Sequence, residues 1–344
     1  MIRFKIFQIS QILIIAFFVI FFGCNKTSQQ NEEVINVLTA GKGTIDSLIL
    51  AYSEQIIENP DDDDLYYRRA KLYRAIEKPL LAIADMEKAI EFEPEIYEYQ
   101  NILGDIFFNV TNIQGAIEAY SRSTELNPND DYAFLELGKI YLYRAEPEIA
   151  ITYLNEALKI SKYNPETYSN KALYYLQMKD TNKAISFLET AVNVDPDYLN
   201  AYIDLGYLYS IQQDNRALLF FENALRIDPQ NTQVLYNRGK FKQDMGDFEL
   251  AVADYQMILA VHPDHKSANY NLGFINYLMG NYEQAIQFFS TAVLKDPNYS
   301  VAYYGLGLCY KEMANFEMAK ENFNKVLLLE PEDELAQLEL NKLR

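Results

Sequence analysis

The chain has 344 residues, with 30 Lys and Arg against 49 Asp and Glu, a formal net charge of −19. That balance opposes counterion-driven binding to nucleic acid and peripheral docking on anionic lipid, so neither is an expected partner. Hydrophobic residues make up 49% and aromatic residues 14% of the chain, which excludes a disordered polyanion and supplies ample material for a packed core.

Arg3 and Lys5 precede an unbroken apolar run from Ile12 to Phe22, followed by Gly23 and Cys24. The run is shorter than the roughly 20 residues a spanning helix requires and reads as the core of a signal peptide over residues 1–23. Phe21-Phe22-Gly23-Cys24 resembles the lipobox of bacterial lipoproteins, which implies that Cys24 becomes the lipidated first mature residue; an uncleaved signal anchor is the alternative. Residues 24–43 then form a polar tether with a reach of about 25 Å. Cys309 is the one other cysteine and sits in an apolar helical pattern, where it is expected to act as a small buried hydrophobe.

Beyond the tether the sequence is a lattice. Ala70, Gly104, Gly138, Ala172, Gly206, Gly239, Gly273 and Gly307 recur at intervals of 34 residues, with a single 33 between Gly206 and Gly239. Ala82, Ala116, Ala150, Ala184, Ala217, Ala251, Ala285 and Ala319 keep the same phase, and Pro60, Pro94, Pro128, Pro196, Pro229, Pro263, Pro297 and Pro331 form a third series. Between these marks apolar residues recur with helical period, and Gly280 interrupts the run in the seventh unit, so each unit is read as two helices. Pro79, Pro147 and Pro165 all fall at first-turn positions, where a missing N–H costs little. Small residues let antiparallel helices approach to about 8 to 10 Å. Met86, Tyr120, Leu154, Leu188, Phe221, Tyr255, Phe289 and Phe323, each four residues after a second-series alanine, are the expected core spine.

A 34-residue helix-turn-helix carrying a small residue, an alanine, an aromatic and a proline in this order resembles the tetratricopeptide repeat, most fully at Tyr303, Leu306, Gly307, Tyr310, Ala319, Phe323 and Pro331. The resemblance implies an all-α solenoid, a right-handed superhelix, with eight repeats over residues 63–331. Residues 44–62 read as a degenerate leading half-repeat and 332–344 as a C-terminal capping helix. Arg69, Lys171 and Arg238 stand where the family usually has Leu, and Lys242 and Asn276 where it has an aromatic.

Chemistry for catalysis is sparse. His262 and His265 flank the lattice proline and read as a turn, since a metal would need further ligands. The run Asp61 to Asp64 lacks the spacing and glycine of a calcium loop and fits a helix N-terminus. No cofactor, metal or catalytic residue is expected.

The resemblance implies partner contacts at the second, fifth, sixth, ninth, twelfth and thirteenth positions of each repeat, on a concave face. Carried over here, these give Tyr67, Lys71, Lys139, Tyr143, Asn170, Tyr207, Tyr236, Asn237, Lys240, Tyr270, Asn271, Phe274, Tyr277 and Tyr304 as candidate groove residues. Tyr67 and Lys71 occupy the positions at which chaperone-binding members clamp a carboxylate with Lys and Asn, so that clamp is not expected. Arg68, Arg69, Lys71 and Arg74 form a basic cluster in which Asp64 and Arg68 are an i,i+4 pair.

The expected function is that of a non-enzymatic scaffold or adaptor. It would be exported and lipid-anchored in a bacterial membrane, the outer membrane and its periplasmic side being preferred, and would bind segments of other envelope proteins. Resembling lipoproteins serve outer-membrane, pilus or secretion-machine assembly, or recruit cell-wall enzymes. A groove-binding enzyme regulator or a glycan- or small-molecule-binding protein, and a self-associating, homo-oligomeric envelope protein, are the alternatives.

Overall fold

The structure, a computed structural model, describes residues 42–343. The expected signal peptide, Cys24 and nearly all of the tether lie outside the described residues. Among the described residues there are eighteen α-helices and no strand. In chain order they are α1 Lys42–Glu58, α2 Asp63–Ala75, α3 Pro79–Phe92, α4 Tyr97–Asn109, α5 Ile113–Leu126, α6 Asp131–Tyr143, α7 Pro147–Ile160, α8 Pro165–Gln177 and α9 Thr181–Val194. They continue with α10 Leu199–Ile211, α11 Arg216–Ile227, α12 Thr232–Met245, α13 Phe248–Val261, α14 Lys266–Leu278, α15 Tyr282–Lys295, α16 Ser300–Glu312, α17 Phe316–Leu329 and α18 Glu334–Lys342. The chain divides into two compact units at Pro128/Asn129, the first ending with α5 and the second beginning with α6.

Each unit is built from antiparallel helix pairs, and the break inside each pair has one geometry. Glu77, Thr111, Ala145, Lys179, Gln213, Gly246, Gly280 and Ala314, one per repeat, all have positive φ, between 55° and 89°. Around Ala145, for example, the Ala145 amide donates to the Leu142 carbonyl at 3.0 Å and the Glu146 amide to Tyr141 at 2.9 Å, which ties off the end of the helix in the Schellman manner. The second helix then starts on a cap or a proline: Asn112, Asp180 and Asn315 side chains accept from the amides of Gly115, Lys183 and Met318, whereas Pro79 and Pro147 open α3 and α7.

The small-residue lattice marks where helices of a pair touch. A Cβ on Gly104 would stand 2.7 Å from the Tyr120 ring in unit one; in unit two, one on Gly206 would stand 2.5 Å from Phe221 and one on Gly273 2.8 Å from Phe289. All eight expected spine residues are buried, from Met86 and Tyr120 in unit one to Phe323 in unit two. Fully burying a side chain of this size is worth about 2 to 3 kcal/mol. Cys309 is buried beside Phe289 and Leu306, as expected.

Polar residues at the usual Leu positions are absorbed by ion pairs or a side-chain hydrogen bond. In unit one, Arg69 donates from Nε and Nη2 to both oxygens of Asp85, each at 2.7 Å. In unit two, Arg238 grips Asp254 in the same bidentate way, Lys242 adds a third contact at 2.9 Å, and Lys171 donates to Asn155 Oδ1 at 2.8 Å. Asp85 and Asp254 each stand immediately before a spine residue, so the same turn of the second helix that fills the core also carries the counter-charge.

Candidate functional site

In unit one the basic cluster is largely neutralised within the fold. Arg68 pairs with Asp64 at 2.5 Å and Arg74 with Asp105 at 2.7 Å, while Arg69 is held by Asp85. The Lys71 ammonium lies 5.0 Å from the centre of the Tyr67 ring, which stacks on Tyr99 at 4.9 Å. Burial raises the Tyr67 pKa. Tyr99 in turn hydrogen-bonds Asp63. The run Asp61 to Asp64 therefore feeds the first turn of α2, with Asp63 and Asp64 engaged by side chains of the fold.

Unit two carries the remaining candidates, on its first helices α6, α8, α10, α12, α14 and α16. Lys139 is enclosed: Glu136 accepts from it at 2.7 Å and Glu166 at 2.9 Å. Burial works against its charge, yet the two carboxylates outweigh burial and hold its pKa above the ordinary lysine value. Tyr143 and Tyr207 are exposed, at 55% and 42%. Lys240 is ion-paired to Asp244, and Asn237 accepts from Gln233 Nε2 at 2.9 Å.

The three asparagines picked out at the sixth position have different surroundings. Asn170 is buried and its amide donates to the Glu166 carbonyl of its own helix at 2.8 Å. Asn271 is buried as well, and its amide nitrogen finds no hydrogen-bond partner among the described residues. Asn237 alone of the three is half-buried.

The fifth-position tyrosines share one arrangement. Tyr236, Tyr270 and Tyr304 are half-buried, and each ring rests on the spine residue nineteen positions on, at 6.2 Å for Tyr255, 5.7 Å for Phe289 and 5.6 Å for Phe323. Burial pushes the Tyr304 phenol up to about 12 and also raises Tyr270. Tyr299, just before α16, meets Tyr270 edge-on at 5.5 Å and takes the Lys266 ammonium at 4.7 Å from its ring centre. Phe274 and Tyr277 continue the surface on α14, and burial first, then the charge of Glu312, pushes Tyr277 up to about 12.

Two participants lie beyond the sequence selection. Tyr299 precedes the repeat positions used for that selection. Asp204 occupies the sixth position of its repeat, the place held elsewhere by Asn170, Asn237 and Asn271, so position alone could have singled it out. It is half-buried, and the packing around it pushes its carboxyl up to about 7.

His265 caps α14 through Nδ1, which accepts from the Ala268 amide at 3.2 Å, the turn role expected for the His262-Pro263-Asp264-His265 run. No group of three or more potential metal ligands converges among the described residues. No described helix is long and apolar enough to cross a membrane.

Comparison with known proteins agrees with this geometry. Residues 67–131 and 236–301 match one tetratricopeptide repeat model, residues 276–341 a second and residues 165–198 a third. The chain belongs to the tetratricopeptide repeat family. Among solved structures it is similar to PilW, titled a widely conserved type IV pilus biogenesis factor, with a TM-score of 0.51 and 20% identity over 62% of this chain and 97% of that one. It is similar also to the Cut9-Hcn1 hetero-tetramer of the APC/C, with a TM-score of 0.51 and 16% identity over 93% of this chain and 60% of that one. A tetratricopeptide repeat protein from Parabacteroides merdae ATCC 43184 gives 0.49 and 17%, covering 72% and 98%. At these identities the likeness to the first two speaks for the fold, an all-α tetratricopeptide solenoid.

Proposed function

We propose that this chain is a non-enzymatic scaffold, anchored to a bacterial membrane by lipid on Cys24, that binds segments of other envelope proteins along the first helices of its repeats. The file of Tyr236, Tyr270 and Tyr304 carries this reading. Each ring is propped on the core spine beneath it and keeps part of its surface outward, so a partner meets large, rigid contacts that lose little freedom on binding. The hydroxyls add hydrogen-bonding capacity, and apolar ground studded with polar groups suits an extended segment or an amphipathic helix. The anchor sets where capture happens; assembly of outer-membrane, pilus or secretion machinery and recruitment of cell-wall enzymes are the settings this reading favours.

Crosslinking and affinity recovery from native membranes, with the full-length tagged chain beside a Tyr270→Ala/Tyr304→Ala variant, tests the binding face. An envelope protein recovered by the first and lost by the second supports the proposal; identical recovery from both sinks it. The anchor has its own test. Cys24→Ala is expected to abolish acyl labelling and to retain the signal segment, and unchanged labelling would favour an uncleaved signal anchor.

A further inference from the structure

The inference below rests on the proposed binding face and concerns what that face selects. On the first helices of unit two the lysines at contact positions are already engaged by the fold. Lys139 lies between Glu136 and Glu166, Lys240 is paired to Asp244, and Lys311 is paired to Glu339 at 2.6 Å. The buried carboxylates Asp254 and Glu339 are likewise matched, the first by Arg238 and Lys242 and the second by Lys311 and Lys342. Asp204 breaks the pattern. It sits on α10, flanked by Ile203 and followed three residues later by exposed Tyr207, and no ion pair or hydrogen bond among the described residues engages its carboxylate. The Tyr198 phenol nearby senses its charge.

We infer that Asp204 is a specificity residue of the binding face, receiving the side-chain cation of a Lys or Arg in a bound protein segment whose apolar residues lie against Ile203 and Tyr207. A half-buried carboxylate without a counter-ion costs stability, and such a cost is retained where a ligand makes use of it. A guanidinium or ammonium entering this position supplies the missing charge and hydrogen bonds in surroundings where water screens them poorly. Charge complementarity points the same way, since the lysines of the face are neutralised internally and the chain carries −19 overall.

The probe is a synthetic library of short N-acetylated peptides of randomised sequence, so that no terminal amine competes for the site. It is selected on the full-length chain and then measured against Asp204→Asn and Tyr207→Ala/Tyr236→Ala. Retained peptides should share a Lys or Arg at a fixed distance from an apolar residue. Asp204→Asn should weaken them roughly tenfold or more. Replacing their basic residue by norleucine should cost about as much on the unaltered protein and little further on the Asp204→Asn variant. Peptides without a basic residue, or affinities that Asp204→Asn leaves unchanged, would overturn the role of Asp204 while leaving the binding face intact. If the unaltered chain retains no peptide, or the Tyr207→Ala/Tyr236→Ala variant binds equally well, the binding face itself fails and this inference falls with it.

Discussion

Arg238 and Asp254 face each other across α12 and α13 through two hydrogen bonds, Nε at 3.0 Å and Nη2 at 2.6 Å, with the Asp254 side chain only 2% exposed. Arg69 and Asp85 repeat the geometry in unit one at the same separation of 16 residues. The two sites differ in what remains when the arginine is removed: Asp254 keeps Lys242, whereas Asp85 keeps no cation among its described contacts.

Arg69→Leu is therefore expected to destabilise its helix pair by about 3 kcal/mol, the cost of stranding a buried charge, and Arg238→Leu by roughly half as much. Repeat arrays depart from two-state unfolding, so hydrogen exchange of α2 and α3 against α12 and α13 is the appropriate measurement. Equal losses at the two sites would contradict the role given to Lys242.

The positive-φ turn inside each repeat predicts substitutions of opposite sign at equivalent positions. Thr111 is a β-branched residue at φ 61°, whereas Gly280 adopts 79° with nothing within 4 Å of where a Cβ would stand. Thr111→Gly should stabilise its pair by roughly 1 kcal/mol and Gly280→Ala should destabilise its own by a similar amount. Thermal or urea melts of both variants check this, and a change of the same sign in both would refute it.

Asp204 predicts a pH dependence. Its folded carboxyl holds the proton up to about 7, whereas an unfolded aspartate releases it near the ordinary 3.8. The folded state therefore binds more protons between these values, and stability declines as pH rises through that window before levelling off. Asp204→Asn should raise the urea midpoint at pH 8, by roughly 1 to 2 kcal/mol in stability, and have almost no effect near pH 4. A pH-independent gain would show that the carboxylate is not the cause.

Cys309 is fully buried, and burial pushes its thiol up to about 12. In a Cys24→Ala chain, where it is the single thiol, it should resist a disulfide reagent until the protein unfolds. Rapid labelling of the folded protein would mean that α16 opens locally.

Most of the architecture was legible in the sequence because its punctuation is compositional. Gly206 and Gly273 are glycine since a ring of the second helix occupies the space of their Cβ, and Phe221 and Phe289 stand at a fixed offset for the same reason. The mid-repeat turns were mostly hidden. Two of the eight positive-φ positions are glycine, and the others carry Glu, Thr, Ala, Lys or Gln, which advertise no left-handed backbone. Arg69 and Arg238 were visible as departures, but their partners could not be paired before the register of the two helices was known. On the proposed binding face the tyrosines were picked out by repeat position alone. The asparagines did not sort themselves, because whether an amide turns back to its own helix, as Asn170 does, depends on side-chain packing that spacing does not encode. Asp204 could have been read from its sixth position, but that no cation meets it among the described residues is a three-dimensional fact.

Within each unit every helix packs on the one or two that follow it, and none waits for a partner far along the chain. A polypeptide emerging N-terminus first, from a ribosome or through a pore, can therefore close each hairpin as soon as the next has appeared. The apolar surface left open at any moment is about that of one unfinished repeat, so the growing chain offers little for aggregation to seize upon while it is still incomplete.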